Sequence, residues 1–159
     1  MGRWIFPVFI AAMLAGSVAL LGATITDTGA WYQALRKPDW APPDAAYGVA
    51  WTVIYACTAL AGVTGWLALS SWREREWLIG LFALNGFLNI LWSLLFFRLH
   101  RPDWAAYEVI ALWLSVAVLT VVAARRSWTS ATLLLPYLLW VAFAGYLNWT
   151  IVQLNGPFS

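Results

Sequence analysis

The run WLIGLFALNGFLNILWSLLFF, residues 77–97, carries no charged side chain from end to end. At about 1.5 Å per helical residue it reaches across the ~30 Å hydrocarbon core of a bilayer. Lipid offers no water to unpaired backbone groups, so such a run has to close its own hydrogen bonds as a helix. Four more apolar runs, at residues 4–25, 47–69, 104–124 and 129–154, flank it, each separated from the next by a polar or charged gap. The expectation is an all-α integral membrane protein, multi-pass and set in a lipid bilayer. It is a five-transmembrane-helix bundle, one membrane domain over residues 1–159, with a long structured loop, residues 26–46, between helices 1 and 2.

Composition supports this class. Hydrophobic residues make up 63% of the chain and charged residues 10%, against about a quarter charged in an ordinary soluble domain. A cleaved signal peptide is the alternative for the first run, since Arg3 precedes it and small residues lie near Ala23, but the run is longer than a typical signal core. Phe6 stands where N-myristoylation wants Ser or Thr.

Charge and rare residues exclude several functions. A net charge of +2 without a basic run gives no case for nucleic acid. Arg3, Arg73, Arg75, Arg125 and Arg126 fall on one side of the bundle, and Arg36, Lys37, Arg98 and Arg101 on the other, a bias too slim to fix orientation. Cys57 is the only cysteine and His100 the only histidine, which removes disulfide frameworks, Cys/His zinc sites and Cys/His catalytic pairs within one chain. His100 itself sits among Arg98, Arg101 and Asp103 in a short connector and reads as a solvated interfacial residue. Pumps place several ionisable groups inside the bilayer. Here Glu108 is the only acid within a span, about one turn from its start, where it could snorkel to the interface.

What the spans do carry is amide and aromatic surface. Asn85, Asn89, Trp92 and Phe96 follow one another at helical spacing, as do Tyr47, Trp51 and Tyr55, and Tyr137, Trp140, Ala144, Leu147 and Asn148. Two readings fit these stripes. Asn can bridge helices, and Trp and Tyr favour the headgroup belts, as Trp4, Trp72, Trp77, Trp104 and Trp128 do at span ends. Trp92 and Trp140 lie nearer mid-span, where an indole N–H needs a partner, and with the asparagines they could line a mostly apolar pocket. Ala11, Ala15 and Ala19 form one small-residue row and Ala12 with Gly16 another, either of which would let the first helix dock closely on a neighbour, in the same chain or in a second copy.

The loop between the first two helices is unusually long, and Pro38, Pro42 and Pro43 stiffen it. Trp31, Tyr32, Leu35 and Trp40 give it apolar anchors. It reads either as an aromatic cap over a pocket or as a re-entrant turn with no ligand.

The ordered motifs carry a resemblance. The pattern W-Y-x-x-L-x-K-P-x-W-x-P-P from Trp31 to Pro43, A-W-T-x-x-Y at Ala50–Tyr55, L-N-x-x-W-S-x-x-F-F at Leu88–Phe97 and L-x-P-Y-L-x-W-x-A-F-A at Leu134–Ala144 resembles the TspO/MBR family over nearly the whole chain. The resemblance implies a five-helix bundle, often a homodimer, that binds porphyrins such as protoporphyrin IX or haem for sensing, transport or sequestration, with no cofactor required. It places the ligand-binding set at Trp31, Tyr32, Tyr47, Ala50, Trp51, Asn85, Asn89, Trp92, Trp140, Phe143, Ala144 and Leu147, with Trp104 and Glu108 early in the fourth span. It further implies, in some bacterial members, light- and oxygen-dependent porphyrin degradation, for which Trp51 would be the catalytic position. The family's sterol motif is absent, since Trp149 and Gln153 stand where Tyr and a basic residue are wanted. A sterol- or lipid-binding scaffold remains the blander alternative, and a bacterial cell membrane the expected location.

Overall fold

A computed structural model describes residues 2–158. Its elements are α1 (Gly2–Ile25), α2 (Ala30–Ala34), α3 (Asp44–Ala68), α4 (Trp72–Ser93) continued by a π-helical turn (Leu94–Arg98), α5 (Pro102–Ala124) and α6 (Trp128–Asn155). The five long helices match the five apolar runs, and each is long and apolar enough to span a membrane. The chain is an integral, multi-pass membrane protein.

Helix starts have local causes. α4 begins ahead of the apolar run because Ser71 closes a capping box: its Oγ accepts from the Glu74 N–H at 3.2 Å, and Glu74 Oε2 accepts from the Ser71 N–H at 3.4 Å. Pro102 occupies the first turn of α5, where its missing N–H has no helical partner to lose. Ser127 caps α6 by accepting from the Ser130 N–H at 3.1 Å.

α3, α5 and α6 build the packed centre, with Ile54, Leu112, Val116, Tyr137 and Val141 in its middle layer. Small residues set the closest crossings. A Cβ on Gly65 would lie 3.1 Å from Ser130 Oγ, and one on Gly145 would lie 3.3 Å from Val109. α1 is peripheral: 11% of its span is buried, against 33% of α6. Leu20, Leu139 and Tyr107 stand outward at 67%, 70% and 74% exposure, which lipid satisfies and water would not.

One expected packing device points elsewhere. Ala12 is exposed and Gly16 has nothing within 4 Å of where a Cβ would stand, so that small-residue row faces away from the bundle. Ala11, Ala15 and Ala19 do face the other helices, where they line the cavities that α1 encloses with them.

Antiparallel alternation brings two sets of ends together. At one end lie the termini Ile25, Asp44, Arg98, Pro102 and Asn155, together with the 26–43 segment that holds α2. At the other lie Trp72, Ala124 and Trp128.

Candidate functional site

Beneath the 26–43 segment lies a cavity of about 470 Å³ between α1, α3, α4 and α6. Its walls are aromatic. Trp51 stacks on Tyr55 at 5.4 Å and meets Tyr137 edge-on at 6.0 Å, Tyr47 meets Trp140 edge-on at 5.9 Å, and Trp92 stacks on Phe96 at 5.3 Å. The π-helical turn follows Ser93, and the adjacent Phe96 and Phe97 both reach the cavity.

The polar groups in these walls are held by other polar groups. The Tyr55 hydroxyl donates to Asn89 Oδ1 at 3.2 Å, and Asn89 Nδ2 donates to the Tyr137 oxygen at 3.1 Å. Trp92 Nε1–H donates to Asn148 Oδ1 at 3.1 Å, and Asn148 Nδ2 donates to the Pro102 carbonyl at 2.8 Å. In lipid no water would satisfy these groups, so such bonds also lock the side chains in place. The result is a stiff, largely apolar chamber with a few oriented dipoles, the usual make-up of a small-molecule site.

Its mouth is different. Lys37 Nζ sits 3.7 Å above the Tyr32 ring and 3.9 Å from Asp44 Oδ1. The Tyr32 hydroxyl and Gln33 Nε2 both donate to the Asp44 carboxylate at 3.2 Å. Burial, and then the neighbouring Asp44 charge, hold the Tyr32 phenol well above its ordinary pKa, so it stays a hydrogen-bond donor. The segment is fastened at its far side too: Asn155 accepts from the Arg36 N–H and donates to the Arg36 carbonyl, both at 2.8 Å. Trp31 stacks on His100 at 4.2 Å, and Trp40 stacks on Tyr146 at 5.3 Å. His100 is exposed, with a positive φ of 53°, and serves as the platform under Trp31.

Of the residues singled out from sequence, Tyr32, Tyr47, Trp51, Asn89, Trp92, Trp140, Ala144 and Leu147 line this cavity. The others stand apart from it. Trp31 packs edge-on to Phe96 at 6.0 Å, outside the lining, and Phe143 lies between Trp140 and Trp40. Ala50, beside Trp51, is off the lining. Asn85 donates to Ser115 Oγ at 2.9 Å and borders a second cavity instead, because it stands one helical turn from Asn89 and meets a different neighbour there. Trp104 is 51% exposed, with the Arg101 guanidinium 4.3 Å over its ring. Both carboxylate oxygens of Glu108 are buried without a protein partner, off the lining of this cavity.

Sequence patterns missed several lining residues. Asn148 and Tyr55 belonged to stripes already visible. Asp44 stands in the first turn of α3, ahead of the apolar run, and Ala19, Gly22 and Ala23 of α1, with Thr26 just past its end, carry no aromatic or amide signal.

Residues 9–154 match the model of the TspO/MBR family. The chain belongs to the TspO/MBR family. It is similar to the tryptophan-rich protein TspO of Chlorobaculum tepidum, 37% identical over 98% of this chain and 99% of that one. It is 35% identical to protein CrtK of Rhodobacter capsulatus, over 92% of this chain and 89% of the relative. The human translocator protein is 31% identical, over 79% of this chain and 75% of its own length. In this TspO/MBR chain the tryptophans of all three aromatic stripes, Trp51, Trp92 and Trp140, meet in one chamber.

Proposed function

We infer that the chain binds a porphyrin such as protoporphyrin IX or haem in the aromatic chamber, for sensing, transport or sequestration, with the 26–43 segment as its lid. The observation that carries this reading is the chamber itself: about 470 Å³, walled by Trp51, Trp92 and Trp140, with Lys37 at the mouth. A flat apolar ring would lie against indole and phenyl faces, and a propionate would find the Lys37 ammonium. Burying about 300 Å² of apolar ligand surface supplies on the order of 7 kcal/mol before ordering costs, which suits micromolar binding.

A dark titration with protoporphyrin IX, read by Trp fluorescence and porphyrin absorbance, tests this. Saturable micromolar binding weakened at least tenfold by Trp140→Ala is the expected result. Linear, unsaturable quenching identical in both proteins would mean partition into detergent and would end the reading.

The stacking of Trp51 on Tyr55 inside the chamber favours a second activity, light- and oxygen-dependent porphyrin breakdown at Trp51. Under illumination Trp51→Phe should stop product formation while dark binding persists. A homodimer is the assembly expected for this family, and cross-linking in native membranes tests it.

A further inference from the structure

A second cavity, about 640 Å³, lies between α1, α3 and α4, and its lining shares only Tyr55 with the first. Its walls are mostly apolar, with Ile10 and Leu14 of α1, Gly62 and Trp66 of α3, Phe82 and Ile90 of α4 among them, and Asn85 and Thr58 as polar exceptions. Phe6, Leu14, Ile79 and Phe87 on its border are exposed, so it opens sideways toward lipid.

Two features narrow what belongs there. The first is length. The lining runs from Phe6 to Val18 along α1 and from Trp66 back to Tyr55 along α3. At about 1.5 Å per residue that is about 17–18 Å, close to half of a ~30 Å hydrocarbon core, the depth of one leaflet.

The second is charge at the outer end. Trp66 and Trp72 meet edge-on there at 5.7 Å, and the Arg75 guanidinium sits 5.1 Å from the Trp66 ring. Arg75 Nη2 donates to the Leu69 carbonyl at 2.8 Å, but its Nε–H is buried with no protein partner. Glu74 is taken up by Arg126 at 2.6 Å, whereas neither Arg73 nor Arg75 forms an ion pair among the described residues. A buried charged donor left without an acceptor is costly, and a guanidinium offers phosphate a side-on pair of donors.

The geometry points to a site for one anionic phospholipid, its acyl chain in the α1–α3–α4 crevice and its phosphate on Arg75. The acyl chain fills a groove one leaflet deep, and at its Trp66 end the phosphate meets the Arg75 cation, which no acid pairs among the described residues. A sterol would bring only a hydroxyl to that edge.

Native mass spectrometry of the full chain, released from detergent after incubation with equal amounts of phosphatidylglycerol and phosphatidylcholine, tests the site. One phosphatidylglycerol per chain is expected, preferred at least tenfold over phosphatidylcholine. Arg75→Gln should erase the preference. Ala59→Leu, which fills the crevice from α3, should release the lipid whatever its headgroup. Equal retention of the two lipids by the unaltered chain would overturn the proposal, as would undiminished preference in Arg75→Gln. Displacement of phosphatidylglycerol by cholesterol would assign the crevice to a sterol, and a dimer broken by Ala59→Leu would assign it to a second copy. Should Arg75→Gln fail to fold, the headgroup preference of the unaltered chain and its loss in Ala59→Leu decide the matter.

Discussion

Trp92 of α4 donates its indole N–H to Asn148 of α6 at 3.1 Å, and Asn148 passes the connection on to the Pro102 carbonyl at the head of α5. Three helices are thus joined through one amide that is 1% exposed. Asn148→Leu leaves the indole N–H without a partner and the Pro102 carbonyl with only its bond inside α5, and should lower unfolding stability in micelles by about 1–3 kcal/mol. Trp92→Phe strands only the Asn148 oxygen, and the double variant should show a coupling of about 0.6–1.7 kcal/mol. Unaltered melting of Asn148→Leu would show that the bond contributes nothing.

The paired hydrogen bonds between Asn155 and the Arg36 backbone join residues far apart in sequence and hold the connector to the end of α6. Asn155→Ala should raise hydrogen exchange across residues 26–43 while the long helices keep their protection. It should also speed porphyrin dissociation more than association, since a loosened lid acts on escape. Unchanged exchange in 26–43 would mean that Trp31 on His100 and Trp40 on Tyr146 hold the segment without it.

The helices and the site differ in how far they could be read from sequence. Five spans were plain because lipid demands about twenty mostly apolar residues in a row, and the chain supplies five such runs, with Glu108 the one charge inside them. The early start of α4 was also written in the sequence, as Ser71 and Glu74 at capping-box spacing, but hydropathy alone hid it. The aromatic stripes of Tyr47 and Trp51, of Trp92 and of Trp140 converge on one chamber because each marks a face that lipid would not favour at that depth. Asn85 and Asn89 looked equivalent on a helix wheel, yet one meets Ser115 and the other Tyr55 and Tyr137, a distinction set by which neighbour stands opposite. α1 was opaque for a different reason. Its chamber face is Ala19, Gly22 and Ala23, small apolar residues that look the same whether they face a cavity, a helix or lipid.

At the arginine end, the α3–α6 crossing depends on Gly65, where a Cβ would stand 3.1 Å from Ser130 Oγ. That hydroxyl donates to the Ala61 carbonyl at 2.7 Å, so Ser130 is not free to swing aside. Gly65→Val should therefore destabilise the bundle by about 1–3 kcal/mol through overpacking. Gly80 is the control, since nothing lies within 4 Å of a Cβ there. Gly80→Ala should be neutral or stabilising by up to about 1 kcal/mol from helix propensity. Equal melting of the two variants would contradict the close crossing.

Gly22 of α1 lines the aromatic chamber, and a Cβ there would sit 3.6 Å from the Tyr55 hydroxyl that bonds Asn89. A larger side chain at this position enters empty space rather than packed core, because α1 lies at the edge of the bundle. Gly22→Leu should therefore fill the ligand volume and push on Tyr55 while leaving the α3–α5–α6 centre intact. Porphyrin affinity should fall at least tenfold, with little change in melting temperature. Ala12→Leu, on the exposed face of the same helix, adds comparable bulk toward lipid and should leave affinity alone. If both variants bind porphyrin like the unaltered chain, the ligand does not occupy this chamber; if both weaken it equally, α1 acts through its packing against the bundle and not through the volume it encloses.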